Sequence, residues 1–248
     1  MRILVVNPNT TVGMTAKIGE AARSVAAAGT EILAVNPAMG PVSIEGFYDE
    51  ALALPGLLQE IARGEAAGAN GVVIACFDDT GLDAARALAT VPVVGICESA
   101  LAAAGMIATK ISVVTTLSRS LVPIEGLVRR YGFAERARVH ASDIPVLSLE
   151  DSASGAGSIL RAAIKSALES DGSDAVVLGC AGMADLARDL TAEFGVPVID
   201  GVSAGVKMVE ALVGLGLKTA KSGAYARPLD KTYTGALADF APAVILRG

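Results

Sequence analysis

The sequence predicts an α/β fold of two pseudo-symmetric, flavodoxin-like domains, each built on a four-stranded parallel sheet. Two observations support this prediction: short β-branched runs alternate with longer Ala-rich stretches, and the order of these segments occurs twice along the 248 residues. Such alternation is typical of βαβ units around a parallel sheet. The composition agrees, because a chain that is 52% hydrophobic and rich in Ala, Val, Leu and Gly supplies small residues for close packing of helices on sheets.

Eight strands are predicted, four in each half of the chain. They cover residues 2–6, 31–35, 71–76 and 92–96 in the first half and 110–115, 138–144, 175–180 and 196–199 in the second. Residues at matching positions also agree: a cysteine ends the third strand of each half, at Cys76 and Cys180, and a Val-Pro-Val triplet follows each cysteine, at 91–93 and 196–198. Similar strands can match by chance, but a duplicated unit explains both the cysteines and the triplets.

Capping and turn residues predict where helices begin and where the halves join. Thr10 or Thr11 is expected to cap the first helix, and Ser118 or Ser120 its counterpart in the second half. Residues 99–109 are predicted to form a linker. The C-terminal tail contains several glycines and prolines and is expected to be a loose covering segment.

The composition excludes several classes of function. The formal net charge is −6 and the lysines and arginines do not cluster, so no nucleic acid partner is expected. No stretch reaches the roughly 18 apolar residues of a membrane span, and the apolar run at 3–6 is too short for a signal peptide. Three cysteines without a CxxC pair favour a reducing compartment, so the expected location is the cytoplasm.

The paired cysteines are the candidate catalytic groups. Ligands of open parallel sheets bind at the carboxyl ends of the strands, so Cys76 and Cys180 would face one cleft if the two halves face each other. Inverting a carbon centre requires that one group removes a proton and another delivers one to the opposite face. Predicted helix starts after both cysteines favour the thiolate, whereas Asp78 and Asp79 oppose it. The pair therefore predicts acid/base chemistry on a carbon acid, without a cofactor.

Other chemically notable residues have structural explanations. Cys97 is expected to be a small buried hydrophobe. His140, the single histidine, lies in a predicted strand, and its ring is expected to have structural partners and no catalytic role. One histidine also argues against a zinc site, so no metal is expected. The glycine pairs at 155–157 and 214–216 do not directly follow strands, so they predict a loop and a helix end and not a dinucleotide site.

At this point the chain resembles a known family, the aspartate/glutamate racemase superfamily, and within it the hydantoin and allantoin racemases. The likeness covers about residues 1–228. It is carried by the motifs Asn7-Pro8-Asn9-Thr10, Ser43-Ile44-Glu45-Gly46, Ala75-Cys76-Phe77-Asp78-Asp79, Val113-Val114-Thr115-Thr116-Leu117, Leu178-Gly179-Cys180-Ala181-Gly182-Met183 and Pro197-Val198-Ile199-Asp200-Gly201-Val202. Each motif is weak alone, and together they are specific.

The resemblance implies an interdomain active site and a two-cysteine mechanism that needs neither pyridoxal phosphate nor a metal. It also implies that the chain returns to the first domain after the second. The expected domains are therefore residues 1–97 plus 207–248, and residues 98–206. A homo-oligomer that acts on a small-molecule substrate, with no membrane partner, is expected.

Residues that match the family's motifs are expected to line the site. By this resemblance Cys76 and Cys180 are the acid/base pair, and the substrate contacts are Asn9, Ile44, Phe77, Thr115 or Thr116, Ala181 and Gly182. Each contact residue has a structural alternative. Asn9 and the threonines could be helix caps, Ile44 and Phe77 could be core residues, and Ala181 and Gly182 could be turn residues.

The residues after the two cysteines indicate the substrate class. Amino-acid racemases of this superfamily typically have Asn-Thr and Thr-His there, whereas this chain has Phe77 and Ala181. Apolar neighbours suit a neutral ring better than a zwitterion, because a desolvated ion needs polar partners. The expected substrates are therefore 5-substituted hydantoins. The sequence does not distinguish allantoin from other hydantoins as the natural substrate.

Three other functions remain open at this point. Another activity of the superfamily is possible, such as an amino-acid racemase, a maleate isomerase or an arylmalonate decarboxylase, although decarboxylase relatives typically keep one cysteine of the pair. A two-lobed protein that binds a small ligand without chemistry is the non-enzymatic alternative. A redox-sensing thiol pair is the third.

Overall fold

The computed structural model describes residues 1–151 and 153–246 and contains two four-stranded parallel sheets. The strands of the first sheet are β1 (Arg2–Val6), β2 (Glu31–Val35), β3 (Gly71–Ile74) and β4 (Val93–Gly95). Those of the second are β5 (Ile111–Thr115), β6 (Ala137–Ala141), β7 (Ala175–Gly179) and β8 (Val198–Asp200). The spatial orders are β2-β1-β3-β4 and β6-β5-β7-β8. Both halves share one topology, which confirms the predicted pair of parallel-sheet units.

Helices connect these strands and cover both sheets. In the first half they are α1 (Val12–Val25), α2 (Phe47–Ala66) and α3 (Leu82–Leu88), followed by α4 (Ile96–Ile107). The second half has α5 (Leu121–Arg130), α6 (Ala156–Asp171), α7 (Ala187–Phe194) and α8 (Gly201–Gly214), and the tail ends in the short α9 (Pro242–Ile245). The central strands β1, β3, β5 and β7 are almost wholly buried, as parallel strands covered on both faces should be.

The predicted linker at 99–109 is wrong, because most of this segment is helix α4. Its buried residues, Ile96, Cys97, Ala100, Leu101 and Ala104, recur at helical spacing and form one apolar face. The small alanines of this face allow it to pack closely on neighbouring elements.

Helices α4 and α8 join the two halves. Helix α4 follows the first sheet but packs on β7 and β8, whereas α8 follows the second sheet and packs on β3 and β4. The two helices also pack on each other, so one hydrophobic core runs through both halves. The domain boundaries at residues 97/98 and 206/207 stay a prediction.

The hydroxyl caps predicted from the sequence do not form. Thr11 precedes α1, but its hydroxyl donates to the Val42 carbonyl oxygen at 2.6 Å, and Thr10 donates to the Pro41 carbonyl oxygen at 3.3 Å. Ser120 precedes α5 without a side-chain cap, and the Ser118 hydroxyl donates to Asp143. These hydroxyls fasten neighbouring loops near the carboxyl ends of the strands.

The first part of the C-terminal tail is held to the first half and is not a loose cover. The Thr219 N–H donates to the Thr90 carbonyl oxygen at 3.0 Å, and the Lys221 ammonium donates to the Ala87 carbonyl oxygen at 3.1 Å. The Tyr225 hydroxyl donates to Asp83 at 2.9 Å. Since Ala87 and Asp83 belong to α3, the tail fixes the helix that follows the Cys76 loop.

Candidate active site

A pocket lies at the carboxyl ends of the central strands, between the two sheets. It is lined from the first half by Asn9, Ile44, Cys76 and Phe77 and from the second by Thr115, Thr116, Cys180 and Ala181, all of them predicted site residues. The cavity is small, about 40 Å³ in volume. The structure therefore brings the two cysteines of the repeat into one pocket.

Gly182 is the predicted contact that does not line this pocket. It lies just behind Cys180, and a Cβ atom built on it would be 3.8 Å from the Cys180 Sγ. Its backbone N–H donates a hydrogen bond to the thiol and lowers the Cys180 pKa. Gly182 therefore acts on the cysteine, and a contact with substrate stays a prediction.

Cys76 lies in the tight loop that follows β3. Its carbonyl oxygen accepts a hydrogen bond from the Asp79 N–H at 3.0 Å. Burial raises the pKa of the Cys76 thiol well above its usual value, and the negative charge of Asp78 raises it further. The nearby Thr80 hydroxyl and Asp78 N–H oppose this rise and lower the pKa.

Cys180 ends β7 in the second half and precedes a 3₁₀ helix over Ala181–Leu186. Burial raises the pKa of its thiol to about 11. Of the charged groups that also raise it, Asp78 acts most strongly, followed by Glu150 and Glu45.

Two sequence-based expectations concern the thiol pKa values: helix starts lower them, and nearby aspartates raise them. Helix α3 begins only at Leu82, too far from Cys76 for an effect confined to the first turn. At Cys180 the Gly182 N–H does lower the pKa, and Asp78 raises it. Burial of the sulfur has the largest effect on both pKa values. Both cysteines are therefore held mainly as neutral thiols.

The carboxyl group of Asp79 points away from the pocket and caps α4. It accepts hydrogen bonds from the Cys97 N–H at 2.9 Å, the Glu98 N–H at 3.0 Å and the Tyr131 hydroxyl at 2.7 Å. Burial raises the pKa of Asp79 to about 7, although these hydrogen bonds lower it. Asp79 is therefore a structural residue that fixes the end of the Cys76 loop against the second half.

The carboxyl group of Asp78 lines the pocket and pairs with Glu50 of α2. Burial raises the pKa of Asp78 to about 7, and the neighbouring Glu50 charge and hydrogen bond raise it as well. Burial also raises the pKa of Glu50. Two carboxyl groups this close share a proton more readily than they carry two charges.

The charge of Asp78 predicts how the thiols react. Replacing Asp78 with Asn removes a negative charge that raises the pKa of both Cys76 and Cys180, so more thiolate forms at a given pH. We expect iodoacetamide to alkylate both cysteines several-fold faster at pH 8 in Asp78→Asn, because the thiolate is the nucleophile. Mass spectrometry of the alkylated peptides measures each rate. The matched control is Asp230→Asn in the exposed tail, and an unchanged or slower rate in Asp78→Asn would contradict the electrostatic account.

Asn9 directs its amide N–H groups toward the pocket side. Its Oδ1 accepts from the Thr11 N–H and from the Asn7 Nδ2, both at 2.9 Å. Because the Thr11 N–H can only donate, this contact fixes which end of the amide is oxygen. The Asn9 Nδ2 then donates to the Met14 sulfur at 3.3 Å and carries a second hydrogen for a ligand.

Two hydroxyls at the pocket are available to a ligand. The Thr115 hydroxyl donates to the Gly179 carbonyl oxygen at 3.1 Å and so ties β5 to β7. Thr116 and Ser120 are buried and line the pocket, and within residues 1–151 and 153–246 neither hydroxyl has a protein hydrogen-bond partner. Of the two threonines left open by the sequence, Thr116 has the hydroxyl that a ligand can use.

The pocket also contains residues that sequence analysis did not place there. These are Asn7, Met14, Ala75, Asp78, Ser120, Val146 and Gly179. Asn7 and Ala75 are neighbours of predicted residues in the quoted motifs, which was an available signal. Val146 lies in a 3₁₀ helix over Val146–Glu150, a segment without a periodic pattern, so only the fold reveals it. Within the part of the chain that the structure describes, none of the residues that line the pocket is Lys, Arg or His.

Cys97 and His140 lie outside the pocket, as expected of structural residues. Cys97 is fully buried in α4, and the His140 Nε2 lies 2.6 Å from the Asp171 carboxylate. Within the part of the chain that the structure describes, no three His, Cys, Asp or Glu side chains are grouped to hold a metal ion. No helix among those residues is both long and apolar enough to cross a membrane.

The fold and the pocket define an α/β enzyme whose site lies between two similar halves and contains one cysteine from each. The sequence profile of the Asp/Glu/Hydantoin racemase family matches residues 3–209. The chain belongs to this family. It is 48% identical to a hydantoin racemase from a Pseudomonas species over 241 residues, which cover 97% of each chain.

Two further relatives place it in the hydantoin and allantoin racemase branch. A hydantoin racemase from Rhizobium meliloti is 50% identical, over 95% of this chain and 98% of that protein. The structure of an allantoin racemase from Klebsiella pneumoniae superposes with a TM-score of 0.95 at 53% identity, covering 98% of this chain and 99% of that one. The prediction of an isomerase of the racemase class is confirmed.

Proposed function

We propose that the protein racemises 5-substituted hydantoins, with Cys76 and Cys180 as the two acid/base groups. The observation that carries this proposal is a pocket that contains one thiol from each half and that, over residues 1–151 and 153–246, is lined by no Lys, Arg or His. Thiols can exchange a proton with a carbon acid. A lining without cations suits a neutral ring and provides no partner for the carboxylate of an amino acid.

The reaction at C5 follows from this arrangement. In one direction the thiolate of one cysteine takes the C5 hydrogen: the C–H bond breaks, an S–H bond forms, and the electron pair moves into an enolate that ends at the C4 oxygen. The second cysteine, still a thiol, then gives its proton to the opposite face of C5. After one turnover the two cysteines have exchanged protonation states, and the opposite enantiomer starts from that state.

The raised thiol pKa values are compatible with this chemistry. Burial raises the pKa of Cys180 to about 11 and that of Cys76 well above its usual value. A thiolate with a high pKa is a strong base, as removal of a weakly acidic carbon-bound hydrogen requires. Each thiolate would also raise the pKa of the other sulfur, which keeps the second cysteine protonated as the acid.

Polar groups of the pocket are positioned to stabilise the enolate. The second N–H of the Asn9 amide and the hydroxyls of Thr116 and Ser120 are the side-chain donors without other strong partners within the described residues. Removing one hydrogen-bond donor to a developing oxyanion typically lowers kcat by about 10²- to 10³-fold. We assign these donors, with the apolar side chains of Ile44 and Phe77, to binding of the ring.

The names of the relatives support the substrate class. Three similar proteins are hydantoin racemases, and the Klebsiella pneumoniae structure is an allantoin racemase. Allantoin is itself a hydantoin with a ureido group at C5, so one proposal covers both. We further propose that the enzyme needs no cofactor and acts in the cytoplasm as a homo-oligomer, without a nucleic acid or membrane partner.

A panel of substrates tests the proposed function. Purified enzyme should racemise single enantiomers of 5-alkylhydantoins or allantoin and leave aspartate and glutamate unchanged, because the pocket lining has no cation for their carboxylates. Polarimetry and chiral chromatography measure the rates, with buffer alone as the control for spontaneous racemisation. Turnover of glutamate at comparable kcat/KM would assign the protein to amino-acid racemisation instead.

A further inference from the structure

Asp78 lines the pocket as an ionisable residue, and its carboxyl group has no role in the mechanism above. It follows Phe77 directly and lines the same pocket as Cys76 and Cys180. Its carboxyl partner is Glu50, which reaches it from α2. Because no Lys, Arg or His among the described residues lines the pocket, none of these neutralises the carboxyl group from the lining. A buried carboxyl group without such a partner is costly unless something else supplies hydrogen bonds.

We infer that Asp78 accepts a hydrogen bond from the ring N1–H of the bound hydantoin and so fixes the orientation of the ring between the two cysteines. This inference rests on the proposed function, since it concerns the same site. Asp78 is then a substrate-binding residue that determines which edge of the ring faces the first half.

The position of Asp78 relative to both sulfurs supports the inference. Of the charged groups near each thiol, Asp78 has the strongest effect on the pKa of Cys76 and on the pKa of Cys180. Asp78 follows Cys76 by two residues and lines the pocket that also contains Cys180, so it lies at the space that the two sulfurs share. The reacting carbon occupies that space in the proposed reaction, which brings Asp78 near the atoms bonded to C5.

The chemistry of those atoms selects one of them. Besides hydrogen, C5 of a hydantoin is bonded to N1, to C4 and to its substituent. An ionised carboxylate beside the C4 carbonyl would repel the oxyanion that forms there and slow the reaction. A hydrocarbon substituent offers it no hydrogen bond. Only N1, with its N–H, is a favourable neighbour in every 5-substituted hydantoin.

The remaining donors of the pocket agree with this orientation. With N1 toward Asp78, the C4 carbonyl points away from the carboxylate and can meet the Asn9 amide and the Thr116 hydroxyl. Glu50 agrees with this orientation of the ring. Its hydrogen bond with Asp78 occupies one oxygen of the Asp78 carboxyl group, and the other oxygen stays available to accept a hydrogen bond from N1–H. The pocket thereby has an acceptor for N1–H and separate donors for the oxygen of C4.

The test compares three substrates on wild-type enzyme and on Asp78→Leu: 5-methylhydantoin and its N1-methyl and N3-methyl derivatives. Leu branches at Cγ as Asp does but accepts no hydrogen bond. Wild-type enzyme should prefer 5-methylhydantoin over the N1-methyl compound by about 10- to 100-fold in kcat/KM, the range for a hydrogen bond to a charged group. In Asp78→Leu this preference should fall to near one, because the parent compound loses the same hydrogen bond.

The ratio of kcat/KM values for two substrates on the same variant cancels the effects of the substitution that both substrates share. Any change in the thiol pKa values alters the rates for all three compounds alike, so only a contact with N1 changes the ratio. The N3-methyl compound is the matched substrate control, because N3 is not bonded to C5, and its ratio to the parent should not change. Asp78→Asn, which retains a neutral acceptor, should give an intermediate preference and replaces Asp78→Leu if the latter does not fold.

Two results would overturn the inference: equal turnover of the parent and N1-methyl compounds by wild-type enzyme, or a preference that is unchanged in both variants. Either result leaves the proposed function intact, provided that wild-type enzyme racemises 5-methylhydantoin. Failure of wild-type enzyme to racemise any hydantoin would instead contradict the proposed function.

Discussion

Replacing either Cys76 or Cys180 with Ser is expected to lower hydantoin racemisation by at least about 100-fold, at the lower end of what general acid/base groups contribute. Each face of C5 needs its own proton carrier, and a serine hydroxyl is far too weak an acid to take the place of the thiol. Both cysteines line the same pocket, so both variants should bind substrate but fail to invert it. Chiral chromatography of a single enantiomer over time measures the loss.

Cys97→Ser is the matched control for these variants. Cys97 is fully buried in α4 and does not line the pocket, so activity per folded molecule should stay close to wild type. Circular dichroism of all three variants separates loss of chemistry from loss of structure. Near-normal inversion in both directions by either pocket variant would show that the two-cysteine mechanism is wrong.

Gly95→Ala is expected to destabilise the protein more than any surface substitution, by about 2 kcal/mol or more. A Cβ atom at Gly95 would lie 2.1 Å from the Asp79 Oδ1, closer than atoms can approach. Asp79 would have to leave the backbone N–H groups of Cys97 and Glu98. Buried polar groups would then lose their partners, and the loop that carries Cys76 would lose its attachment to α4.

The matched control is Gly126→Ala in α5, where a Cβ atom has no neighbour within 4 Å. That substitution should stabilise the helix by about 0.5–1 kcal/mol, because Ala restricts the unfolded chain more than Gly does. Urea denaturation measures both variants. If Gly95→Ala unfolded at the same urea concentration as wild type, Asp79 would not hold the loop as described.

The repeat in the sequence predicted most of the architecture. Its strands and their order follow from local patterns: β-branched runs mark the strands, and a second copy of the pattern predicts a second sheet. The position of Cys76 and Cys180 at equivalent strand ends predicted a shared pocket on the condition that the two halves face each other, because ligands of open parallel sheets bind at the carboxyl ends of the strands. The structure contains both sheets and the shared pocket.

The errors have a common physical cause, which is burial that only the folded chain reveals. The segment at 99–109 was predicted to be a linker, but α4 covers much of it because its alanines pack between the halves. Sequence analysis weighed helix starts against nearby aspartates at the two thiols, whereas desolvation of the sulfurs has the largest effect on their pKa values. Degree of burial is a property of tertiary packing and has no local sequence signal.

The pairing of Asp78 with Glu50 could not be predicted for a related reason. The two residues belong to different elements, a strand-end loop and α2, and no motif links them. Only the packing of α2 beside the first sheet brings the carboxyl groups together. In the same way, the pocket position of Val146 depends on a 3₁₀ helix whose sequence has no periodicity.

Solvent deuterium exchange by the two single-cysteine variants tests the central claim most directly. If Cys76 and Cys180 act on opposite faces of C5, each enantiomer presents its hydrogen to a different sulfur. In deuterium oxide, Cys76→Ser and Cys180→Ser should each exchange the C5 hydrogen of one enantiomer without inverting it, and the two variants should prefer opposite enantiomers. Proton NMR of each pure enantiomer measures the exchange. If both variants exchanged the same enantiomer, the cysteines would act on one face, and the account of a two-sided racemase would be contradicted.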